Sequence, residues 1–104
     1  MKNIYYIGIS KDKMASIDLA PYDKGWMITR IFVPEDCRRQ GFGSQVLKLV
    51  LEDADIEHVI LYLPIHPYSN TEYQRLEAWY KRHGFKRQRG LFHRRPFVKD
   101  KIVR

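Results

Sequence analysis

A short glycine-containing loop between an apolar run and an amphipathic segment constrains this chain more than any other feature. The apolar run 27–33 ends at Pro34, and the pattern becomes helical from about Gly43. One helix face then carries the apolar residues Val46, Leu47, Val50, Leu51 and Ala54. The first N–H groups of a helix lack an intrahelical acceptor, and the helix dipole adds positive potential there. The loop therefore predicts a binding site for an anion.

The residues of the loop favour a phosphate group as that anion. Gly41 and Gly43 carry no side chain that would hold a phosphate away from the backbone, and Arg38 and Arg39 add positive charge. The spacing is not that of the dinucleotide fingerprint, because position 46 is valine, and it is not a P-loop, because no Gly-Lys-Ser/Thr follows. Taken alone, the loop also fits a strand-to-helix turn that binds no ligand.

The composition is that of a globular protein with a strongly basic C-terminal part. The 104 residues predict a single domain, 1–104, with a modest core. The net charge is +7, and ten Lys or Arg residues follow residue 80 against one acid, Asp100. This asymmetry predicts a polyanionic partner, such as a phosphorylated cofactor or a nucleic acid, with a solvated basic face as the alternative.

The sequence shows no sign of a membrane or secreted protein. The longest apolar run, 59–65, is too short to cross a bilayer, and the N-terminus has no signal-peptide pattern. The single cysteine, Cys37, excludes an internal disulfide and fits a reducing compartment as an unreactive thiol. We therefore expect a cytoplasmic protein without membrane contact.

Hydrophobic patterning predicts an α/β (α+β) fold with a mixed, mostly antiparallel sheet and two helices, in the order β-β-β-α-β-α-β-β. The predicted strands cover residues 3–10, 14–20, 26–33, 59–65, 85–89 and 91–97. The predicted helices cover residues 43–55 and 72–83. Short polar turns make the first three strands an antiparallel meander. The unbroken apolar run 59–65 predicts a central strand that is buried on both faces.

The loop and the strand before it resemble the acetyl-CoA pyrophosphate loop of the GNAT superfamily of N-acetyltransferases. The chain reads hydrophobic-x-Val-Pro over 31–34 and Arg-x-x-Gly-x-Gly over 38–43. The resemblance implies acetyl-CoA (coenzyme A) as cofactor, with pantetheine along the third strand, a strand N–H as a small oxyanion hole, and the pyrophosphate on the loop amides. The cofactor-binding residues implied are Ile31, Phe32, Val33, Arg38, Arg39, Gln40, Gly41, Phe42, Gly43 and Ser44.

A second motif, over 79–85, is similar to the family signature hydrophobic-Tyr-x-x-x-Gly-Phe. In the family this tyrosine often protonates the CoA thiolate as it leaves, and by position the residue here is Tyr80. A phenol with a pKa of about 10 is protonated at neutral pH and can donate that proton. A lone tyrosine on such a helix is more often a core residue. The two motifs stand in the family's order with a strand between them, and together they favour the GNAT interpretation.

The resemblance implies acetyl transfer to an amine by direct attack. The strand before the loop lacks the acid that many members use as general base, which leaves His66 or water. Without a strong base an amine of low pKa reacts most readily. An α-amine, with a pKa of about 8, is therefore expected rather than a lysine, at about 10.4. The basic C-terminal segment suggests a macromolecular or polyanionic acceptor, for instance an aminoacyl-tRNA, and a nucleic-acid contact.

The family's first strand and first two helices have no counterpart in this sequence. In the family they wall the acceptor side, so we expect an open acceptor groove, or one completed by the second subunit of a homodimer. A non-catalytic basic module that binds CoA, RNA or a protein is the rival interpretation. Phe85, Phe92 and Phe97 would stack on bases in such a module, whereas in a GNAT-like sheet they belong to the core. The remaining histidines and Cys37 lack metal-ligand spacing, so no metal site is expected.

Overall fold

The computed structural model describes residues 1–64 and 71–97. The strands in this part of the chain are β1 (Ile4–Ser10), β2 (Lys13–Tyr22), β3 (Gly25–Phe32), β4 (Ile60–Pro64), β5 (Lys86–Gln88) and β6 (Leu91–Arg94). Its helices are α1 (Phe42–Glu57) and α2 (Thr71–Arg82). The strands form one sheet in the order β1-β2-β3-β4-β6-β5. The predicted element order and the mixed α+β fold are confirmed.

Polar turns join β1, β2 and β3 into the predicted antiparallel meander. β3 and β4 pair in parallel, because α1 crosses over between them. β4 pairs antiparallel with β6, and β6 with β5. Along β3 the register shifts at one point: Asp18 pairs with Arg30 and Leu19 with Ile28, so Thr29 is left over. An extra residue of this kind is a β-bulge, which bends its strand.

The hydrophobic core lies on one face of the sheet and includes residues of both helices. Strand side chains alternate between the two faces, and every second residue of the central strands points to this core. The buried residues of α1 are Val46, Leu47, Val50 and Ala54, which are four members of the predicted stripe. Phe85 and Phe92 are also fully buried, so they are core residues and are not available for stacking on bases. Phe97 is 64% exposed.

No helix of the described residues covers the opposite face of the sheet. In β4 the buried Leu61 and Leu63 alternate with Ile60 and Tyr62, which are only partly buried. The prediction that this strand is central is confirmed, but the prediction that both its faces are buried is wrong for one face. A central strand needs two apolar faces only when helices cover both sides. No helix of the described residues is long and apolar enough to cross a membrane.

Two carboxylates of α1 hold the helix on the sheet. The hydroxyl of Tyr5 donates to Oδ2 of Asp53 at 2.6 Å, and burial together with this bond raises the pKa of Tyr5 to about 12. Arg94 donates two bonds to the carboxylate of Asp55, at 2.9 and 3.1 Å, and the N–H of Phe97 donates a third at 2.9 Å. Burial alone would raise the pKa of Asp55, but these bonds outweigh it and lower that pKa.

Candidate functional site

The two parallel strands at the centre of the sheet separate soon after they meet. Residues 25–27 of β3 pair with residues 60–62 of β4, and no later pair joins these strands within the described residues. The bulge at Thr29 lies two residues beyond the last pair. Because a bulge bends its strand, residues 28–32 lead away from β4. One main-chain edge of these residues therefore makes no pair with β4. The end of β3 thus offers backbone donors and acceptors to a ligand.

A groove of about 600 Å³ opens beside this edge on the face that carries the helices. We call it the helix-face groove. One wall consists of the end of β3, the following loop and the start of α1, and the other is one side of α2. The predicted cofactor-binding residues that line it are Ile31, Val33, Arg38, Arg39, Gly41, Phe42, Gly43 and Ser44. Local sequence therefore identified one wall of this groove.

The loop that leads into α1 leaves a row of main-chain N–H groups available. Arg39 and Gly41 adopt positive φ angles of 65° and 88°. Gly41 is the residue before the first turn of α1 and has a left-handed backbone conformation, which glycine adopts without steric cost. Within the described residues, no N–H of residues 39–44 donates to a main-chain oxygen. These donors lie at the positive end of the helix dipole and suit an anion.

The helix-face groove is strongly basic. Four arginines line it, Arg38 and Arg39 from the loop and Arg75 and Arg82 from α2, and no acid of the described residues does. Arg38 is partly fixed, because its Nε donates to the carbonyl oxygen of Val33 at 3.1 Å. Four positive charges without a carboxylate favour a ligand that carries several phosphate charges.

Trp79 joins the two walls of the groove. Its Nε1 donates to the hydroxyl of Ser44 at 2.8 Å, which ties α2 to the first turn of α1. A Cβ at Gly43 would lie 3.6 Å from side-chain atoms of both Trp79 and Val33. Glycine at position 43 therefore keeps the space between these two groove-lining side chains open.

Four residues of the second wall were missed as site residues from the sequence: Arg75, Leu76, Trp79 and Arg82. Spacings of three and four residues place them on one side of a helix. That spacing was visible in the sequence. It carried no functional signal there, because the same pattern also describes a solvated or core-facing side, and its opposition to the loop depends on packing between the two helices.

Two predicted cofactor-binding residues do not line the groove with their side chains. The ring of Phe32 lies under the guanidinium of Arg30, 4.9 Å from its centroid. The side-chain amide of Gln40 donates to the carbonyl oxygen of Asp36 at 3.4 Å. Main-chain contacts from Phe32 and Gln40 to a cofactor stay predictions. Cys37 lines the groove but is buried, and burial and a bond to Asp36 raise the pKa of its thiol.

Tyr80 lies in the core beside the groove. Its side chain is 4% exposed and packs against Phe85 and Phe92, with ring centroids 6.2 and 5.4 Å away. Tyr80 is not among the residues that line the groove, although its neighbour Trp79 is. Its role as proton donor stays a prediction. His66, the candidate base, lies outside the described residues. Within the described residues no cluster of His, Cys, Asp or Glu could hold a metal ion.

Comparisons with known proteins identify the fold. The E. coli ribosomal-protein-S18-alanine N-acetyltransferase matches with a TM-score of 0.71 and 18% identity, over 95% of this chain and 75% of its own. The anti-CRISPR protein AcrVA5 matches with a TM-score of 0.63 and 18% identity, over 88% of this chain and 98% of its own. A GNAT-family acetyltransferase of Staphylococcus aureus Mu50 matches with a TM-score of 0.61 and 17% identity, over 78% of this chain and 59% of its own.

Sequence comparison gives the family. No curated protein matches the chain. A family model described as an acetyltransferase (GNAT) domain matches residues 2–87, which include the separated strands, the loop and both helices. The match covers most of the chain, and the structural neighbours named above include acetyltransferases of the same family. The protein belongs to the GNAT acetyltransferase superfamily.

Proposed function

We propose that this protein transfers an acetyl group from acetyl-CoA to an α-amine. The observation that carries the proposal is the row of available N–H groups at the start of α1, at one end of a basic groove between separated strands. A strand-to-helix turn that binds no ligand would not need to be surrounded by four arginines without an acid. Acetyl transfer is the reaction of the family, and the geometry of the groove supports acetyl-CoA as the donor.

The groove fits the polar part of CoA. The N–H groups of residues 39–44, with Arg38 and Arg39, would bind the diphosphate. Arg75 and Arg82 on the opposite wall would meet the remaining phosphate charge. The unpaired edge of β3 would bind the amide groups of pantetheine and direct the thioester towards the point where β3 and β4 separate. The volume of about 600 Å³ lies in the range of cofactor and small-molecule sites.

The residues of the chain would then assist a direct transfer. The amine nitrogen forms a bond to the thioester carbonyl carbon, and the bond from that carbon to sulfur breaks. A main-chain N–H of β3 would stabilise the charge that develops on the carbonyl oxygen. Tyr80, which lies in the core beside the groove, would give its phenolic proton to the departing thiolate and regain one from solvent. The amine loses its proton to water, because no carboxylate or imidazole of the described residues lines the groove.

The absence of such a base from the described lining favours an α-amine as acceptor. At neutral pH the unprotonated fraction of an α-amine is roughly 250-fold larger than that of a lysine side chain. The name of the E. coli neighbour gives an alanine of a ribosomal protein as the group that it acetylates. The same class of acceptor, an α-amine carried on a macromolecule, fits the open face and positive charge of this chain.

Thermal unfolding with acetyl-CoA tests the cofactor site. We expect millimolar acetyl-CoA to raise the melting temperature by several degrees, because it binds the folded state alone. Tyr80→Phe is expected to keep this shift and to lower kcat about 100-fold. Tyr6→Phe, on an exposed tyrosine of β1, is the matched control and should change neither. If acetyl-CoA produces no shift, the proposal fails and the rival binding module is favoured.

Acceptor choice is tested separately. Purified protein and acetyl-CoA are given an aminoacyl-tRNA, a peptide with a free N-terminus, or a lysine peptide whose N-terminus is blocked, and products are identified by mass spectrometry. We expect acetylation of the aminoacyl-tRNA, of the peptide with a free N-terminus, or of both, since these carry an α-amine. The rate should rise as the pH approaches the pKa of the amine, near 8. A clear preference for the lysine peptide would contradict the α-amine proposal and leave the cofactor site intact.

A further inference from the structure

A second groove lies on the open face of the sheet, opposite the helices. It has a volume of about 310 Å³ and is formed by the turn between β2 and β3 and by strands β4, β5 and β6. Tyr62 and His93 of neighbouring strands line it, and these paired residues alternate with Leu61, Leu63 and Phe92, which face the core. We call it the strand-face groove. It is separated by the sheet from the helix-face groove.

Aromatic rings form one end of the strand-face groove. Tyr22 and Tyr62 meet edge to face, with ring centroids 5.1 Å apart and planes at 72°. The hydroxyl of Tyr62 donates to Oδ2 of Asp23 at 3.1 Å, which fixes its ring. Tyr22 is 43% exposed, so part of its ring is accessible to a ligand. An accessible ring whose partner is held in place suits a flat ligand that stacks on it.

The charged residues of this groove are mainly cations. Lys24, Arg89 and Arg95 line it, and all three are exposed. Among the described residues that line this groove, the acidic one is Asp23, and its carboxylate already accepts the hydrogen bond from Tyr62. Three cations around an aromatic end favour a ligand that has both a flat ring and negative charge.

His93 adds an unused polar atom. It lines the groove, and its Nδ1 is buried without a hydrogen-bond partner among the described residues. Buried polar atoms in folded proteins nearly always have a partner, and an exception calls for an explanation. Because Nδ1 is enclosed, a ligand in the groove would meet the accessible part of the imidazole ring and not Nδ1 itself.

We propose that the strand-face groove binds single-stranded nucleic acid, with one base on Tyr22 and flanking phosphates on Lys24, Arg89 and Arg95. Stacking on an aromatic ring next to cations is how proteins bind unpaired nucleotides without strict sequence preference. An acidic peptide would satisfy the cations but leave the rings without a function. This inference deepens the proposed function, because the nucleic acid would carry the acceptor amine. That part of the inference rests on the proposed function. Binding of the strand itself does not depend on acetyl transfer.

Fluorescence anisotropy with a labelled single-stranded RNA of about ten nucleotides tests the proposal without acetyl-CoA. Tyr22→Leu keeps an apolar side chain against Tyr62 but removes the stacking ring, and we expect binding to weaken about fivefold or more. Tyr22→Phe is expected to bind as the wild type does. Lys24→Gln should reduce the slope of log affinity against log salt by about 0.7, the effect of one phosphate contact.

Matched controls separate this site from general attraction to a basic protein. Lys48→Gln removes an equal charge from an exposed position of α1 outside both grooves, and should leave the salt slope close to that of the wild type. In a double variant, Arg75→Gln with Arg82→Gln, the effect of Tyr22→Leu should persist. RNA binding that the double variant abolishes and that Tyr22→Leu leaves unchanged would mean that the RNA occupies the helix-face groove, and would overturn the proposal.

Three further results would also overturn it: equal effects of Lys24→Gln and Lys48→Gln, equal binding of a duplex, or equally effective competition by a polyglutamate peptide. The acetyl-CoA shift, measured on the same Tyr22→Leu sample, distinguishes this failure from failure of the proposed function. An unchanged shift with weakened RNA binding supports both proposals. RNA binding that depends on Tyr22 in a protein that does not respond to acetyl-CoA supports the strand-face groove alone.

Discussion

The two grooves lie on opposite faces of the same sheet and are built from different parts of the polypeptide. The helix-face groove combines main-chain N–H groups at the start of α1 with arginines from two distant segments. The strand-face groove consists of side chains, some of which alternate along β4 and β6 with core residues, while others come from the turns beside these strands. Main-chain donors recognise an anion in one fixed position, whereas exposed side chains accept a ligand whose position varies. The difference is consistent with the two proposals, a single cofactor for the helix-face groove and single-stranded nucleic acid for the strand-face groove.

The shared element is the short contact between β3 and β4, and damage to it should affect both grooves. A Cβ at Gly25 would lie 1.9 Å from the carbonyl oxygen of Ile60, so Gly25→Ala forces the strands apart where they pair. We expect a loss of about 3 kcal/mol in the free energy of unfolding and weaker binding at both sites. Urea unfolding measures the first effect. Gly8→Ala, with nothing near its added methyl group, should change stability by less than about 0.5 kcal/mol.

A pair of neighbouring arginines sharpens the comparison, because the sheet directs them to opposite faces. Arg94 bonds to the partly buried Asp55, whereas Arg95 is exposed and lines the strand-face groove. Arg94→Gln is expected to lower the free energy of unfolding by about 2 kcal/mol without reducing the salt slope of RNA binding. Arg95→Gln should do the reverse: unchanged stability and a slope reduced by about 0.7.

The effect of Arg94→Gln also has a pH dependence with a definite sign. The bonds from Arg94 and Phe97 lower the pKa of Asp55 in the folded state. The stability that they supply is therefore complete above the ordinary carboxyl pKa, about 4, and is lost as pH falls through the lower value of the folded state. Unfolding curves of wild type and variant should converge below about pH 4. A constant difference down to pH 2 would contradict this account of Asp55.

The smallest change expected to separate the two faces is one methyl group in the helix-face groove. Gly43→Ala places a Cβ 3.6 Å from Trp79 and Val33, an ordinary packing distance, within a helix that favours alanine. We expect unchanged or slightly higher stability, acetyl-CoA binding weakened about tenfold, and RNA binding unaltered. Calorimetric titration with acetyl-CoA and anisotropy with RNA measure these effects. Equal weakening of both ligands would mean that the grooves are not independent.

Much of the fold could be predicted because local patterns in the chain agree with it. The stripe on α1, the antiparallel meander with its polar turns and the order of elements all matched the structure. The two-sided burial of β4 was predicted wrongly, since an apolar run does not reveal whether helices cover one face or both. The C-terminal cations were treated as one group, although β6 directs Arg94 to the core side and His93 to the open side.

The sequence by itself determined the geometry of the loop before α1, because a glycine turn, a helix start and two arginines act over a few neighbouring residues; that the loop binds an anion stays a prediction. The tertiary structure decided which other residues share its groove, and whether a second groove exists. Arg75 and Arg82 meet the loop only where α2 packs against α1, and Tyr22 meets Tyr62 only through the register of the sheet. Such contacts join residues far apart in the chain, and no local sequence pattern encodes how close these residues come in the folded protein.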